Sequence, residues 1–307
     1  MPTLQAQSQT SSHSKGTTKA AARPGAGINK VKSLFIGAYM PFAMSSAGYA
    51  GYMIAQGHTM WLSVLLTTLP ITLFLMAAMA LKSFARTSKH LPVISLLGAS
   101  GIGYAEWLLI NEQAPALLLV WSIAAFVLFQ MYNYWYSSLG RSISNNISVG
   151  HKLPDFNLTD IAGETVNSSS FQGKQTLFMF YRGNWCPLCM AQIKEVAKHY
   201  QQIAKGGTEI VLISPQPHSN TQSIAKKFDV PFNFMTDTNN AAAQILNIAM
   251  ANGLPAGMEM LGYDSDTVYP TVIITDTKGM IRFVDQTDNY RIRPEPKTFM
   301  PYLMAGN

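Results

Sequence analysis

Two cysteines, Cys186 and Cys189, are the only ones in 307 residues, and they stand three apart as Cys186-Pro187-Leu188-Cys189. Ahead of them Thr176 to Tyr181 is an apolar and aromatic run of strand length. After Pro187, Ile193, Val196, Tyr200 and Ile203 recur at helical spacing until Gly206-Gly207 stops the pattern. A cysteine where a strand hands over to a helix meets free backbone N–H groups and the positive end of the helix dipole. Both stabilise a thiolate and draw its pKa down from about 8.5. Cys186 is therefore the predicted nucleophile. Cys189, one turn on, is the predicted resolving thiol, which attacks a mixed disulfide or sulfenic acid on Cys186 and leaves a redox-active disulfide. Zinc would need two further soft ligands, yet no second cysteine pair exists and His151, His199 and His218 are scattered. No metal and no cofactor is expected. A structural disulfide is disfavoured because so tight a loop closes little entropy.

The elements that must hold this pair are those of an α/β domain. Phe156 to Thr159 and Glu164 to Asn167 flank Asp160-Ile161-Ala162-Gly163 as a hairpin. Strands are expected at Glu209 to Ser214 and Phe232 to Met235, and helices at Ser219 to Phe228 and Asn240 to Ile248. A hairpin of Thr271 to Thr275 and Met280 to Asp285 and a helix from Pro294 to Met304 close the chain. The alternation predicts a central mixed sheet. Met250, Met258 and Met260, among Gly253, Pro255, Gly257 and Gly262, form a flexible apolar loop just ahead of Pro270. The other methionines of the 17 fall mostly in apolar spans or core runs, so copper handling is not invoked.

The first half reads differently. Only 12% of residues are charged, and four stretches, Leu34 to Ala55, Met60 to Leu81, Leu91 to Ile110 and Pro115 to Tyr136, approach the roughly 20 apolar residues a bilayer-crossing helix needs. Trp61, Trp107, Trp121 and the cluster Tyr132, Tyr134, Trp135, Tyr136 lie near their ends as interfacial belts. The net charge of +6 does not indicate nucleic acid, because Lys15, Lys19, Arg23, Lys30 and Lys32 gather in one tail beside the first stretch. With Lys82, Arg86 and Lys89 they mark the cytoplasmic side of an inner (plasma) membrane. An even number of crossings then returns the redox domain to the cytoplasm. No leader cleavage is expected, since no short apolar stretch with a small-residue site stands near the start. The bundle has no thiols or haem-ligating histidines within its spans, and Glu106 lies about a turn from a loop, so its expected role is anchorage in the lipid bilayer. The organisation expected is a disordered basic tail over 1–32, a four-helix transmembrane domain over 33–138, and a soluble α/β redox domain over 150–307.

Tyr181-Arg182-Gly183-Asn184-Trp185-Cys186-Pro187-Leu188-Cys189 resembles the signature of peroxiredoxin-like proteins of the alkyl hydroperoxide reductase and thiol-specific antioxidant family. The likeness extends to Gly150, Pro154-Asp155-Phe156, Leu158 and Asp160, to Tyr269-Pro270-Thr271, and to Gly279 to Phe283 with Asp288, Tyr290 and Arg293. It implies a thioredoxin fold in which Pro270 is a cis-proline facing the cysteine pair, with the methionine loop as a substrate-facing lid. It also implies a site built from Cys186, Cys189, Arg182, Trp185 and Pro270, with thioredoxin, glutaredoxin or a small thiol as electron donor. Arg182 either stabilises a thiolate or leaving oxygen or lies on the surface at the pocket rim; Arg282 and Arg293 are further cations of this kind. Gly183 stands where peroxidases of that family carry Thr or Ser, and Phe180 where thioredoxins carry Asp. Three readings stay open: a peroxidase, a protein disulfide reductase or isomerase, and a non-enzymatic membrane redox sensor.

Overall fold

The computed structural model describes residues 25–81 and 85–304. The expected tail cations Lys15, Lys19 and Arg23, and Lys82 of the expected basic loop, lie outside the described residues. Four antiparallel helices come first: α1 (Ala26–Ala55), α2 (Leu62–Leu81), α3 (Pro92–Ile110) and α4 (Ala116–Gln130). They pack α1 on α2, α2 on α3 and α4, and α3 on α4. Small residues allow the close approach: a Cβ on Gly101 of α3 would stand 2.6 Å from the Ser63 carbonyl oxygen of α2. Three helical stretches, Thr59–Leu81, Pro92–Ile110 and Ala116–Tyr136, are long and apolar enough to cross a membrane by length and composition. The fourth expected span forms a helix, but α1 begins with Asn29, Lys30 and Lys32 and carries Ser33, Ser45 and Ser46, and it is not one of the three.

Lys32 departs from the expected solvated tail. It is buried on α1, its ammonium donates to the Ser138 carbonyl at 2.6 Å and it lies 5.6 Å from the centre of the Trp135 ring. Beyond α4 the helix widens into a π-helical turn, Met131–Tyr136, where the Ser137 N–H reaches back five residues to Tyr132.

The second half contains β1 (Asn157–Thr159), β2 (Thr165–Asn167), β3 (Thr176–Phe180), α5 (Pro187–Lys198), α6 (Tyr200–Lys205), β4 (Glu209–Ser214), α7 (His218–Ala225), β5 (Asn233–Thr236) and α8 (Ala241–Ile245). A short pair follows, β6 (Ala249–Met250) with β7 (Thr267–Val268), then β8 (Thr271–Thr275), β9 (Ile281–Asp285) and α9 (Pro296–Met304). The main sheet runs β2-β1-β5-β4-β3-β8-β9, with β3, β4 and β5 parallel and the other pairings antiparallel. This is the mixed central sheet of a thioredoxin-like fold. Both faces of β3 are covered: Leu177 and Met179 join one core with Ile193, Val196 and Phe299, and Phe178 and Phe180 join the other with Phe156, Val211 and Ile273. The expected helix beyond Pro187 breaks at His199 into α5 and α6, and the β6–β7 pair, too short to show as a pattern, pins the ends of the methionine loop.

The two halves meet along one seam. Arg291, 1% exposed, donates through Nη1 to the Ser88 carbonyl at 2.7 Å, through Nη2 to Asn133 Oδ1 at 2.7 Å and to the Lys89 carbonyl at 3.0 Å, and through Nε to Ser137 Oγ at 2.8 Å. A single guanidinium thereby joins the α2–α3 connection, the π-helical turn and the segment after β9. The Thr87 N–H donates to the Arg291 carbonyl at 3.0 Å, and Arg86 pairs with Glu195 of α5. Replacing Arg291 by Leu removes the donor to the part-buried Ser88 and Lys89 carbonyls and to the buried carbonyl and side-chain oxygens of Asn133, at a cost of about 3 kcal/mol. The expected result is a thermal midpoint of the whole chain lowered by several degrees. Arg282→Leu, at a side chain 63% exposed, should leave it nearly unchanged.

Candidate redox site

Strand β3 ends at Phe180, and the Tyr181 N–H continues the ladder to the Ile213 carbonyl at 2.9 Å. The chain then leaves the sheet through Arg182 to Trp185 and enters α5, with Cys186 as the residue before its first turn and Pro187 at the first position. That turn is built around Gly183, whose φ of 149° lies outside the range that side chains favour; a Cβ there would stand 2.6 Å from Trp185 Nε1 and 2.7 Å from its Cδ1. The indole thus fills the space that a side chain at position 183 would need. Gln216 fixes the same turn: its Oε1 accepts from the Asn184 N–H at 2.8 Å while its Nε2 donates to the Tyr181 hydroxyl at 3.1 Å. The Tyr263 hydroxyl closes the loop from above by donating to Asn184 Oδ1. Neither Gln216 nor Tyr263 stands out in the sequence, because each acts through a contact far along the chain.

Both thiols are free and buried, Cys186 at 2% and Cys189 at 1% exposure. A hydrogen bond from Cys189 lowers the pKa of Cys186 to about 6; burial opposes this, and the nearby Arg293 and Arg182 add to it. Cys189 is pushed the other way, raised by burial first and then by its bond and proximity to Cys186. The pair therefore divides into one thiolate and one protonated thiol.

Arg182 is not a surface residue. It is buried, its guanidinium lies 4.7 Å from the centre of the Trp185 ring, and its Nη2 donates to the Gly253 carbonyl. Arg293 is buried as well, with Nη2 3.8 Å from Cys189 Sγ. Among the described residues the Nε atoms of both arginines have no hydrogen-bond partner. Arg282 is elsewhere, exposed and 4.0 Å from Asp276.

Pro270 corrects an expectation. The β3–β8 register pairs Phe180 with Thr271, so Pro270 does lie beside the end of β3 from which the cysteine turn departs. Its peptide bond is trans, however, as is every other among the described residues. The chain here is fixed from both sides in the intrinsically favoured isomer: the Tyr269 N–H donates to the Ile248 carbonyl at 2.8 Å, and the Pro270 carbonyl accepts from Arg141 Nη1 at 3.0 Å. No group of three or more His, Cys, Asp or Glu side chains that could hold a metal is found among the described residues.

Cys186 forms part of the wall of a cavity of about 590 Å³, within the range of small-molecule sites. Its other walls come from both halves of the chain: Gly37 and Met40 of α1, Phe74 and Ala78 of α2, Tyr132 and Tyr136 of the π-helical turn, and Pro255 and Met258 of the methionine loop. Two tyrosines expected in an interfacial belt thus face the cysteine, whereas Tyr134 is exposed. Tyr290 stands edge-on to Tyr136, ring centres 5.6 Å apart, and its hydroxyl lies 2.6 Å from that of Tyr132.

Residues 149–284 match the model of the AhpC/TSA family. The chain is similar to the chloroplastic peroxiredoxin Q of Populus jackii, 33% identical over 104 residues that make up 34% of this chain and 49% of the relative. It is also similar to that of Triticum aestivum, 32% identical over 98 residues, or 32% and 45% of the two chains. The chain spans about half the length of these curated relatives. Similar solved structures include the peroxidoxin BcpB of Mycobacterium tuberculosis, at 18% identity over 47% of this chain and 90% of that one with a TM-score of 0.40. AhpC of Enterococcus faecalis aligns at 17% identity over 52% and 92%, with a TM-score of 0.42.

The electrostatics set the pH dependence of the thiol. Alkylation of Cys186 by a small neutral reagent should rise with pH and level off before neutrality, with its midpoint near the lowered value of about 6. In Arg293→Leu the midpoint should move up toward the ordinary value of about 8.5. A midpoint near the ordinary value in the native chain would contradict the assignment of Cys186 as the ionised sulfur.

Proposed function

We propose that this chain, whose residues 149–284 form an AhpC/TSA family domain, is a membrane-anchored thiol-dependent peroxidase that reduces hydroperoxides through Cys186 and Cys189. The Cys186 thiolate attacks one peroxide oxygen, the O–O bond breaks, and Cys186 becomes a sulfenic acid. The departing alkoxide or hydroxide takes up the proton given up when the thiol ionised. Arg182 and Arg293 provide positive charge where this oxygen leaves. Cys189, held protonated, then attacks the sulfenic sulfur; its proton and the sulfenic hydroxyl depart as water and a disulfide closes. Two thiol equivalents from thioredoxin, glutaredoxin or a small thiol restore the pair.

The observation that carries this reading is the burial of both sulfurs behind a cavity wall. A protein disulfide must bring its own sulfur into line with the thiolate, and Cys186 at 2% exposure leaves no room for a folded partner. A hydroperoxide needs only an opening for its terminal oxygens. The membrane part of the proposal is supported by the three apolar helical stretches and by Lys30, Lys32, Arg86 and Lys89 on the side of the bundle that adjoins the redox domain. With those cations inside, the redox domain lies in the cytoplasm.

The test is peroxide consumption by the full chain in the presence of a dithiol. Cys186→Ser should lower the rate by on the order of 1000-fold or more. Cys189→Ser should still complete one turnover and accumulate a sulfenic acid that dimedone traps. Reduction of protein disulfides without peroxide consumption would support the reductase reading instead.

A further inference from the structure

Resting on the peroxidase reading, we infer that the helical bundle supplies half of the substrate site, and that the substrate is a hydroperoxide borne on the acyl chain of a bilayer lipid, entering between α1 and α2. The cavity beside Cys186 contains no acidic residue, and its walls toward the bundle are Ile36, Met40, Phe74, Leu75 and Ala78. Its mouth is identified by residues that both line it and are open to the outside: Gly37 on α1, Met79 on α2 and Ala256 on the methionine loop. Near these lining residues along the chain stand exposed apolar side chains: Met260, at 91% exposure, and Leu261 after Met258, Leu34 one turn before Gly37 on α1, and Met76 one turn before Met79 on α2. A soluble active site has no use for such a surface, which water disfavours.

The loop is also not free to drift from the helices. Asn29 Nδ2 of α1 donates to the Ala251 carbonyl at 2.8 Å and Ser33 Oγ donates to the Leu254 carbonyl at 2.7 Å. The mouth is therefore framed by α1, by α2 and by a loop tied to α1.

Its depth fits the chemistry. Met79 lies within one turn of Leu81, the end of α2 that adjoins the redox domain. In a bilayer this is the boundary between hydrocarbon and headgroups. A hydroperoxyl group is polar and costly to leave in hydrocarbon, so an oxidised acyl chain carries it toward that boundary. At the inner end of the cavity the apolar lining gives way to Cys186, Arg182 and Asn184. The chain occupies the apolar part and the –OOH meets the thiolate, which cleaves the O–O bond to give the lipid alcohol and the Cys186 sulfenic acid.

The test uses the full chain in lipid nanodiscs with a dithiol reductant. Phosphatidylcholine hydroperoxide in the disc is compared with aqueous hydrogen peroxide, for the native chain and for Ala78→Trp. The native chain should consume both, and in Ala78→Trp the ratio of kcat/KM for the lipid over that for hydrogen peroxide should fall at least about tenfold, since one filled wall removes several methylene contacts at roughly fourfold each. Gly37→Leu is the second variant. A Cβ at position 37 meets only Ala256 Cβ, at 3.9 Å, so the fold accommodates it, and the ratio should fall in the same direction. Consumption of hydrogen peroxide but not of the lipid hydroperoxide, or a ratio unchanged in both variants, overturns the inference and leaves the peroxidase reading standing. Consumption of neither peroxide by the native chain removes both.

Discussion

A thiolate taken out of water must be compensated on the spot, and at Cys186 the compensation comes from a neighbouring thiol and two arginines. Among the described residues neither Arg182 nor Arg293 forms an ion pair with a carboxylate. Their guanidinium groups are held by one backbone carbonyl, an indole ring and Cys189 itself. An arginine neutralised by Asp or Glu would contribute little field at the sulfur, whereas one satisfied by dipoles keeps its full charge available. The rest of the site follows from this constraint. Gln216 and Tyr263 fix the turn so that the sulfur stays at the start of α5, and Gly183 leaves room for the indole that stacks on Arg182.

The same device joins the two halves of the chain. Arg291 and Arg141 are buried, as the two site arginines are, and they are bonded to carbonyl and side-chain oxygens from distant segments. Arg291 draws the π-helical turn and the α2–α3 connection onto the segment after β9. This brings Tyr132 and Tyr136 against Tyr290, and the cavity wall opposite Cys186 is the result. The bundle thus helps to shape the site: without it the thiol would face open solvent on that side.

Much of the scaffold was legible in the sequence, because its signals are local. The run Thr176 to Phe180 forms a strand buried on both faces, Pro187 opens a helix, and Asp276 to Gly279 makes the turn of the final hairpin, whose Asp276 carboxylate accepts the Lys278 and Met280 N–H groups. The cysteine pair lies where strand and helix signals place it. What escaped was set by long-range contacts. Lys32 looked like part of a solvated tail, yet its partner is a carbonyl 106 residues away. Tyr132 and Tyr136 had the composition of an interfacial belt, but a π-helical turn rotates them inward, and hydropathy does not encode that rotation. Arg293 ranked no higher than Arg282 by position, and only the fold separates a residue beside Cys189 from one on an exposed strand face. Pro270 sits where its motif puts it, while the isomer of its bond depends on Arg141 and Ile248.

In the proposed arrangement the reactive sulfur is approached through apolar space shared by both halves and not from bulk water. With only two cysteines in the chain, it can be measured on the native protein in proteoliposomes by comparing two thiol reagents of equal intrinsic reactivity. One partitions into the bilayer and the other carries a sulfonate that keeps it in water. The membrane-partitioning reagent should label Cys186 faster by at least about tenfold, the factor that corresponds to about 1.4 kcal/mol, and detergent solubilisation should narrow the gap. Equal labelling by the two reagents, or faster labelling by the sulfonate, would contradict this arrangement.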